Sequence, residues 1–175
     1  MIGVGDAARA HAVSQEMGIR SPDGRWLLRS RTEQMVISRF GDPVILLPRA
    51  QLIEALLSRV PGPALALSTE VTSVMPGGPA AARVVTTAGE LAAELVVAAD
   101  GIGSATRAAL FPGHPGLRYA GFTTWRLLTG QAARPLPMAE TWGRGTVFGV
   151  MPLSDGRVYC YAAAPAAQGP AAATS

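Results

Sequence analysis

The residues with most chemical potential lie in one run, Glu94-Leu95-Val96-Val97-Ala98-Ala99-Asp100-Gly101-Ile102-Gly103-Ser104-Ala105-Thr106-Arg107. Its first part is a continuous apolar stretch, the pattern of a buried strand. A turn follows that carries a carboxylate and two glycines, then a helix start with an arginine one turn in. Strand-to-helix junctions are where α/β sheets bind ligands. Glycine lets a backbone approach a ligand closely, and a helix N-terminus attracts phosphate. The same residues also read as a plain β–α turn in which Asp100 caps the helix. A second candidate is Pro48-Arg49-Ala50-Gln51-Leu52. A cation in the first turn of a helix opposes the helix dipole, so Arg49 has an anionic partner, a packing role, or a place on the surface. His11 and His114 are far apart and Cys160 is the one cysteine, so no nucleophile–base pair and no zinc-ligand spacing emerges. Cys160 sits in the alternation Val158-Tyr159-Cys160-Tyr161 and reads as a packed strand thiol.

These candidates need elements to hold them. Leu52, Ile53, Leu56, Leu57 and Val60 recur at helical spacing, which predicts a helix over 48–60 that Pro61-Gly62-Pro63 ends. Asp6 is placed to cap a short helix over 7–12. Ser21-Pro22-Asp23-Gly24 is turn chemistry between two apolar runs and predicts a hairpin. Further strands are expected at 35–38, 64–67, 70–74, 82–86 and 94–98, with a turn at Pro76-Gly77-Gly78-Pro79 and a short helix over 104–110. From Tyr119 the composition becomes aromatic. Strands are expected at 119–129, 139–142, 146–151 and 157–162, with Ser154-Asp155-Gly156 turning between the last two. The Ala/Pro/Gly-rich residues from 163 on read as a disordered tail.

Composition narrows the class. The chain has 175 residues, 49% hydrophobic and 15% charged, enough for a real core and unlike a disordered tail. The net charge is +3 and the pI about 9.7, which invites a nucleic-acid reading. All fifteen basic residues are arginines spread along the chain, without the cluster such a surface needs. No apolar run approaches the roughly 18 residues of a membrane span, and no secretory signal is visible. A soluble cytoplasmic protein is expected.

The segment AADGIGSATR resembles the Asp-Gly motif of the FAD-dependent aromatic-ring monooxygenases, the class A flavoprotein hydroxylases similar to p-hydroxybenzoate and salicylate hydroxylases. In that family the motif helps to position the FAD pyrophosphate region and NAD(P)H. The resemblance therefore implies Asp100 and Gly101 as cofactor-binding, with Arg107 supporting the loop; from the residues alone Arg107 is equally an ion-pair partner of a nearby acid. Pro48-Arg49-Ala50-Gln51-Leu52 resembles the family's Arg-Ala-x-Leu motif, usually preceded by His, and this implies that Arg49 reaches FAD. Glu70-Val71-Thr72-Ser73-Val74 is similar to a strand whose valine backbone meets the adenine, implying Val71; ordinary strand alternation explains it as well. Tyr119–Arg126, Glu140–Gly143 and Phe148–Leu153 look like strands crossing into the substrate domain, where aromatic and apolar residues line a dry pocket or simply pack a sheet.

The fold the resemblance implies is α/β (α+β): a partial FAD/NAD(P)-binding domain of the glutathione-reductase-like type over 1–115, the start of an antiparallel β substrate domain over 116–163, and a tail over 164–175. The family's GxGxxG unit and later Gly-Asp motif have no counterpart here. Gly3-Val4-Gly5 lacks a preceding strand, and Ala8 stands where the third glycine belongs; Gly41-Asp42 is misplaced. The chain is thus expected to be an internal portion that alone binds FAD weakly or not at all. The implied chemistry is hydroxylation of an aromatic or polyketide-like substrate. NAD(P)H reduces FAD, and the reduced flavin passes one oxygen atom of O₂ to the substrate; no side chain is assigned as acid or base. The alternatives are another FAD-dependent oxidoreductase or halogenase of the same fold and, from a different class, a non-catalytic remnant or interaction module.

Overall fold

The computed structural model describes residues 3–12, 16–30, 32–77, 81–132 and 134–169. In chain order the elements are α1 (Gly5–Arg9), β1 (Met17–Arg20), β2 (Trp26–Ser30), α2 (Thr32–Phe40), α3 (Arg49–Leu57), β3 (Val71–Met75), β4 (Ala82–Thr86), β5 (Gly89–Ala93), α4 (Ala105–Leu110), β6 (Phe122–Gln131), β7 (Met138–Trp142), β8 (Val147–Pro152) and β9 (Arg157–Pro165). They fall into two compact units, Met1–Val60 with Ala120–Ser175, and Pro61–Tyr119. The fold is therefore α+β, but the N-terminal sixty residues group with the aromatic strands instead of with 61–115. The reason is strand pairing: β1 runs parallel to β7, with Gly18 opposite Ala139 and Ile19 opposite Glu140.

In the first unit six strands form one sheet in the order β2-β1-β7-β8-β9-β6. The β1–β2 hairpin turns where Ser21-Pro22-Asp23-Gly24 predicts it, closed by Ser21 N–H donating to the Arg25 carbonyl at 2.9 Å. The β8–β9 hairpin turns at Ser154-Asp155-Gly156, with Gly156 N–H on the Leu153 carbonyl at 3.1 Å and Arg157 held to Asp155 at 2.6 Å. Among the described residues, Met138, Ala139, Leu153 and Val158 are buried hydrophobic side chains. Residues paired across neighbouring strands share a face. One row accordingly reads Ile19, Glu140, Gly149, Tyr161, Arg126 from β1 to β6. The Tyr161 ring lies against Gly149, where any Cβ would overlap it, so only glycine fits there. Its hydroxyl donates to Glu140, as does Trp142 Nε1 at 2.7 Å.

The second unit is an antiparallel three-stranded sheet, β3-β4-β5, with α4 against β3. Thr86 closes the β4–β5 turn. Its hydroxyl donates to the Gly89 carbonyl at 2.8 Å and accepts from Ala88 N–H at 3.1 Å.

Several expectations change. Residues 35–38 are not a strand but part of α2, whose Met35, Ile37 and Phe40 remain exposed. Residues 64–67 run from the end of a short 3-10 turn, Gly62–Ala64, through two irregular residues into a turn at Leu67; the Pro-Gly-Pro before them sets that tight geometry. The strand expected at 94–98 is displaced to Gly89–Ala93, because the Thr86 turn fixes the register of β5. The segment 94–100 bends at Glu94 and then belongs to no strand, with Leu95 and Val97 each 78% exposed. Helix α3 forms as expected, with Pro48 at its N-cap position, yet none of its residues is buried. Asp6 does not cap α1; its carboxylate pairs with Arg9 at 2.8 Å instead. Strand β9 continues through Ala163, Ala164 and Pro165 because these residues pair with Thr124, Thr123 and Phe122, so the tail begins later than expected. Residues 170–175 of that tail, and Gly78 and Pro79 of the expected turn, lie outside the described residues.

Candidate functional site

The loop that opens α4 is held by its own side chains. Asp100 Oδ1 accepts from Ser104 Oγ at 2.6 Å, and Oδ2 accepts from Thr106 N–H at 3.1 Å. Ser104, the N-cap, accepts from Arg107 N–H at 2.9 Å. Those bonds, the Ser104 hydroxyl first and the Thr106 amide second, lower the Asp100 pKa from 3.8 to about 2. A carboxylate beside helix N–H groups also complements the helix dipole. The first donors of α4 are thereby satisfied and the charge an anion would supply is already present. Gly101 has φ +78, a left-handed conformation that favours glycine. Arg107 Nη2 donates to the Ile102 carbonyl and so braces the same loop; its ion-pair alternative is not realised among the described residues.

This loop borders a groove of about 410 Å³ lined by Val71, Val74, Val84 and Val96, with Glu70 and Asp100 as its acidic lining residues. Val71 and Asp100 thus line one cavity although they are far apart in sequence. No atom lies within 4 Å of the point where a Cβ would stand at Gly101 or Gly103, so the loop backbone is open to approach.

Arg49 lies in the other unit. It is the first residue of α3 and lines a pocket of about 420 Å³ between residues 46–49 and the sheet face that carries Arg126, Leu128, Met151 and Tyr159. Arg126, Leu128, Tyr159 and Met151 occupy alternate positions on β6, β9 and β8, hence one face. Neither Arg49 nor Arg126 has an ion pair among the described residues. From the sequence, Arg126 and Met151 lie on strands whose aromatic and apolar residues line a dry pocket or pack a sheet, and Tyr159 and Glu70 have no assigned role at a site. The available signal was a lone cation, Arg126, inside the otherwise neutral run Phe122–Gln131. No group of three or more His, Cys, Asp or Glu capable of holding a metal ion occurs among the described residues. No helix of the described residues is long and apolar enough to cross a membrane.

No family model matches the chain. A curated relative, the aurachin C monooxygenase/isomerase of Stigmatella aurantiaca, is 34% identical over 131 residues, covering 74% of this chain and 34% of the relative. Klebsiella pneumoniae HpxO, solved with FAD and uric acid, superposes with a TM-score of 0.85 at 26% identity, over 97% of this chain and 44% of that one. A salicylate hydroxylase solved with its substrate shares the fold at a TM-score of 0.73 and 16% identity, over 97% of this chain and 47% of the other. The chain spans about a third of the curated relative and under half of these solved structures. The Asp-Gly loop, the mixed sheet and these likenesses agree, and the chain belongs to the FAD-dependent monooxygenase family, of whose members it covers a part.

Proposed function

We propose that this chain contributes part of the cofactor and substrate sites of an FAD-dependent monooxygenase that uses NAD(P)H and O₂ to hydroxylate an aromatic or polyketide-like small molecule in the cytoplasm. The single observation that carries this reading is the groove that Val71 shares with the Asp100 loop. A valine lining suits a flat heterocycle, and the acidic residues Glu70 and Asp100 suit ribose hydroxyl donors. Asp100 has two hydrogen bonds in place, and a carboxylate offers about four acceptor positions. The groove therefore fits the adenosine end of FAD better than its phosphates, which would meet two negative charges. In this assignment Val71, Asp100 and Gly101 border the dinucleotide and Arg107 holds the loop; Arg49 is assigned to FAD by the family resemblance alone. Bound flavin supplies the redox and oxygen-activating chemistry. The chain's part is to orient it and to exclude water.

The reading is tested by titrating the protein with FAD at high flavin concentration, with AMP as competitor. Displacement of FAD by AMP, and at least about tenfold weaker binding in Gly103→Val, which adds a side chain at a residue lining the groove, are expected. Binding insensitive to both overturns the assignment. Substrate-dependent O₂ uptake separates a monooxygenase from another flavin oxidoreductase or halogenase. One observation favours a binding module without catalysis: the exposed apolar segment of Leu95, Val97 and Ile102, each 78% accessible. Protein that remains colourless with excess FAD would support that second reading.

A further inference from the structure

We propose that the uncharged face of the six-stranded sheet docks on the same face of a second copy of this chain, forming a reversible two-fold dimer. None of the residues that make this contact lines the groove beside Asp100, so the dimer does not require flavin.

Side chains alternate across a strand, so each face of the sheet is a set of cross-strand rows. On one face the row Glu140, Gly149, Tyr161, Arg126 carries charges of both signs. On the other, two adjacent rows run from β8 to β6: Val150, Cys160, Leu127 and Phe148, Ala162, Trp125. All six are apolar. The second row meets a charge only at Arg20 on β1, two strands beyond Phe148, and that guanidinium lies on the Trp26 ring at 3.8 Å. Among the described elements no helix packs extensively on β6, β8 or β9. Trp125, Leu127 and Phe148 are accordingly 55%, 60% and 47% exposed.

An apolar sheet face is stable when another layer covers it, and charge, shape and area select that layer. A face without charge gives a charged partner nothing to pair with and desolvates a polar one without return. It also has no lysine or arginine in these rows to meet lipid headgroups, the usual companion of a membrane-binding apolar face. A second copy offers an equally flat, charge-free surface. Sheets of the same twist pack face to face at about −30° and about 10 Å apart, and a two-fold contact closes at two copies. An aromatic side chain offers about 150–250 Å², so at these exposures the three open residues leave roughly 300 Å² per copy. Two copies hide about 600 Å² through them, and the half-buried Val150, Cys160 and Ala162 bring the total towards about 1,000 Å², the lower bound of a specific interface. The dimer is therefore weak and concentration-dependent.

The test is sedimentation velocity on the intact chain without flavin, from ~1 to ~500 μM, a range suited to an interface of this size. The mean mass is expected to rise from 18.1 kDa to twice that value and to stop there. Cys160, the one cysteine, sits between Val150 and Leu127 on the face, so its labelling by a maleimide should slow at least about fivefold over the same range. Phe148→Lys and Leu127→Lys, each placing a charge on the face, should weaken dimerisation at least about tenfold. Leu91→Lys, at an exposed apolar residue of Pro61–Tyr119, should leave it unchanged. A chain that stays monomeric throughout, that assembles beyond the dimer, or whose Cys160 labelling rate is independent of concentration overturns the proposal before any variant is made. An unchanged dimer in both Phe148→Lys and Leu127→Lys overturns it too, as does equal weakening by Leu91→Lys, which would mean unspecific association. Shielding of Cys160 only when phosphatidylcholine vesicles are added assigns the face to a lipid surface and removes the dimer.

Discussion

Among the described residues the buried apolar side chains, Met138, Ala139, Leu153 and Val158, all belong to the six-stranded sheet and its β8–β9 turn, whereas in Pro61–Tyr119 the buried residue is Ser104. The first unit is a packed sheet whose rows of side chains lean on one another, as Tyr161 does on Gly149. The second is organised by short-range hydrogen bonds: Thr86 closes a turn, Asp100 and Ser104 cap α4, and Arg107 braces Ile102. The lesson is that the loop proposed to meet the cofactor is built by local polar contacts while its apolar neighbours Leu95 and Val97 stay in solvent. A binding loop drawn from a region of low packing is the usual arrangement.

The contrast can be broken most strongly in the sheet. Met138→Ala removes a side chain only 4% exposed and should cost about 2–4 kcal/mol in denaturant unfolding; a loss under about 0.5 kcal/mol, the range of a surface change, would mean that the sheet is not where stability resides. Gly149→Val should follow at about 1–3 kcal/mol, the cost of overpacking. It should also release Tyr161 from Glu140. The Tyr161 phenol is held above its usual 10 by burial first and by Glu140 second. Ultraviolet titration of the variant should then show one tyrosine ionising at lower pH than in the parent.

A smaller effect is expected in the second unit. Ser104→Ala deletes the N-cap that holds Arg107 N–H and should cost about 1 kcal/mol, confined to amide exchange over 100–110. The smallest effect is electrostatic. The folded Asp100 pKa, about 2, lies below its usual 3.8. Its contribution to the cap is therefore complete above pH ~3.8 and is lost as pH falls through ~2. A carboxyl carbon titration by NMR with a midpoint near 3.8 would show that the Ser104 and Thr106 bonds do not persist in solution.

The sequence was most legible where structure is settled within a few residues. Pro22-Asp23-Gly24 and Asp155-Gly156 turn the chain regardless of what lies beyond, and the strands they join follow. Asp100-Gly101 is equally local, since a left-handed glycine and a carboxylate four residues before Ser104 meet without outside help. The alternation in 82–86 and 139–142 likewise locates strands almost to the residue. Where periodicity was ambiguous the reading failed: 35–38 is helical, and the apolar run at 94–98 has the composition of a strand without the pairing.

Local sequence determined by itself where the hairpins turn and that a glycine-bearing carboxylate loop precedes a short helix, while the α+β class came with the family resemblance. Tertiary structure alone decided that β1 lies parallel to β7, that Val71 borders the Asp100 loop, and that Arg49 and Arg126 line one pocket. The physical reason is separation along the chain. A turn needs the dihedral preferences of about four residues, but β1 and β7 are more than a hundred residues apart in the chain, and nothing in either segment encodes its partner.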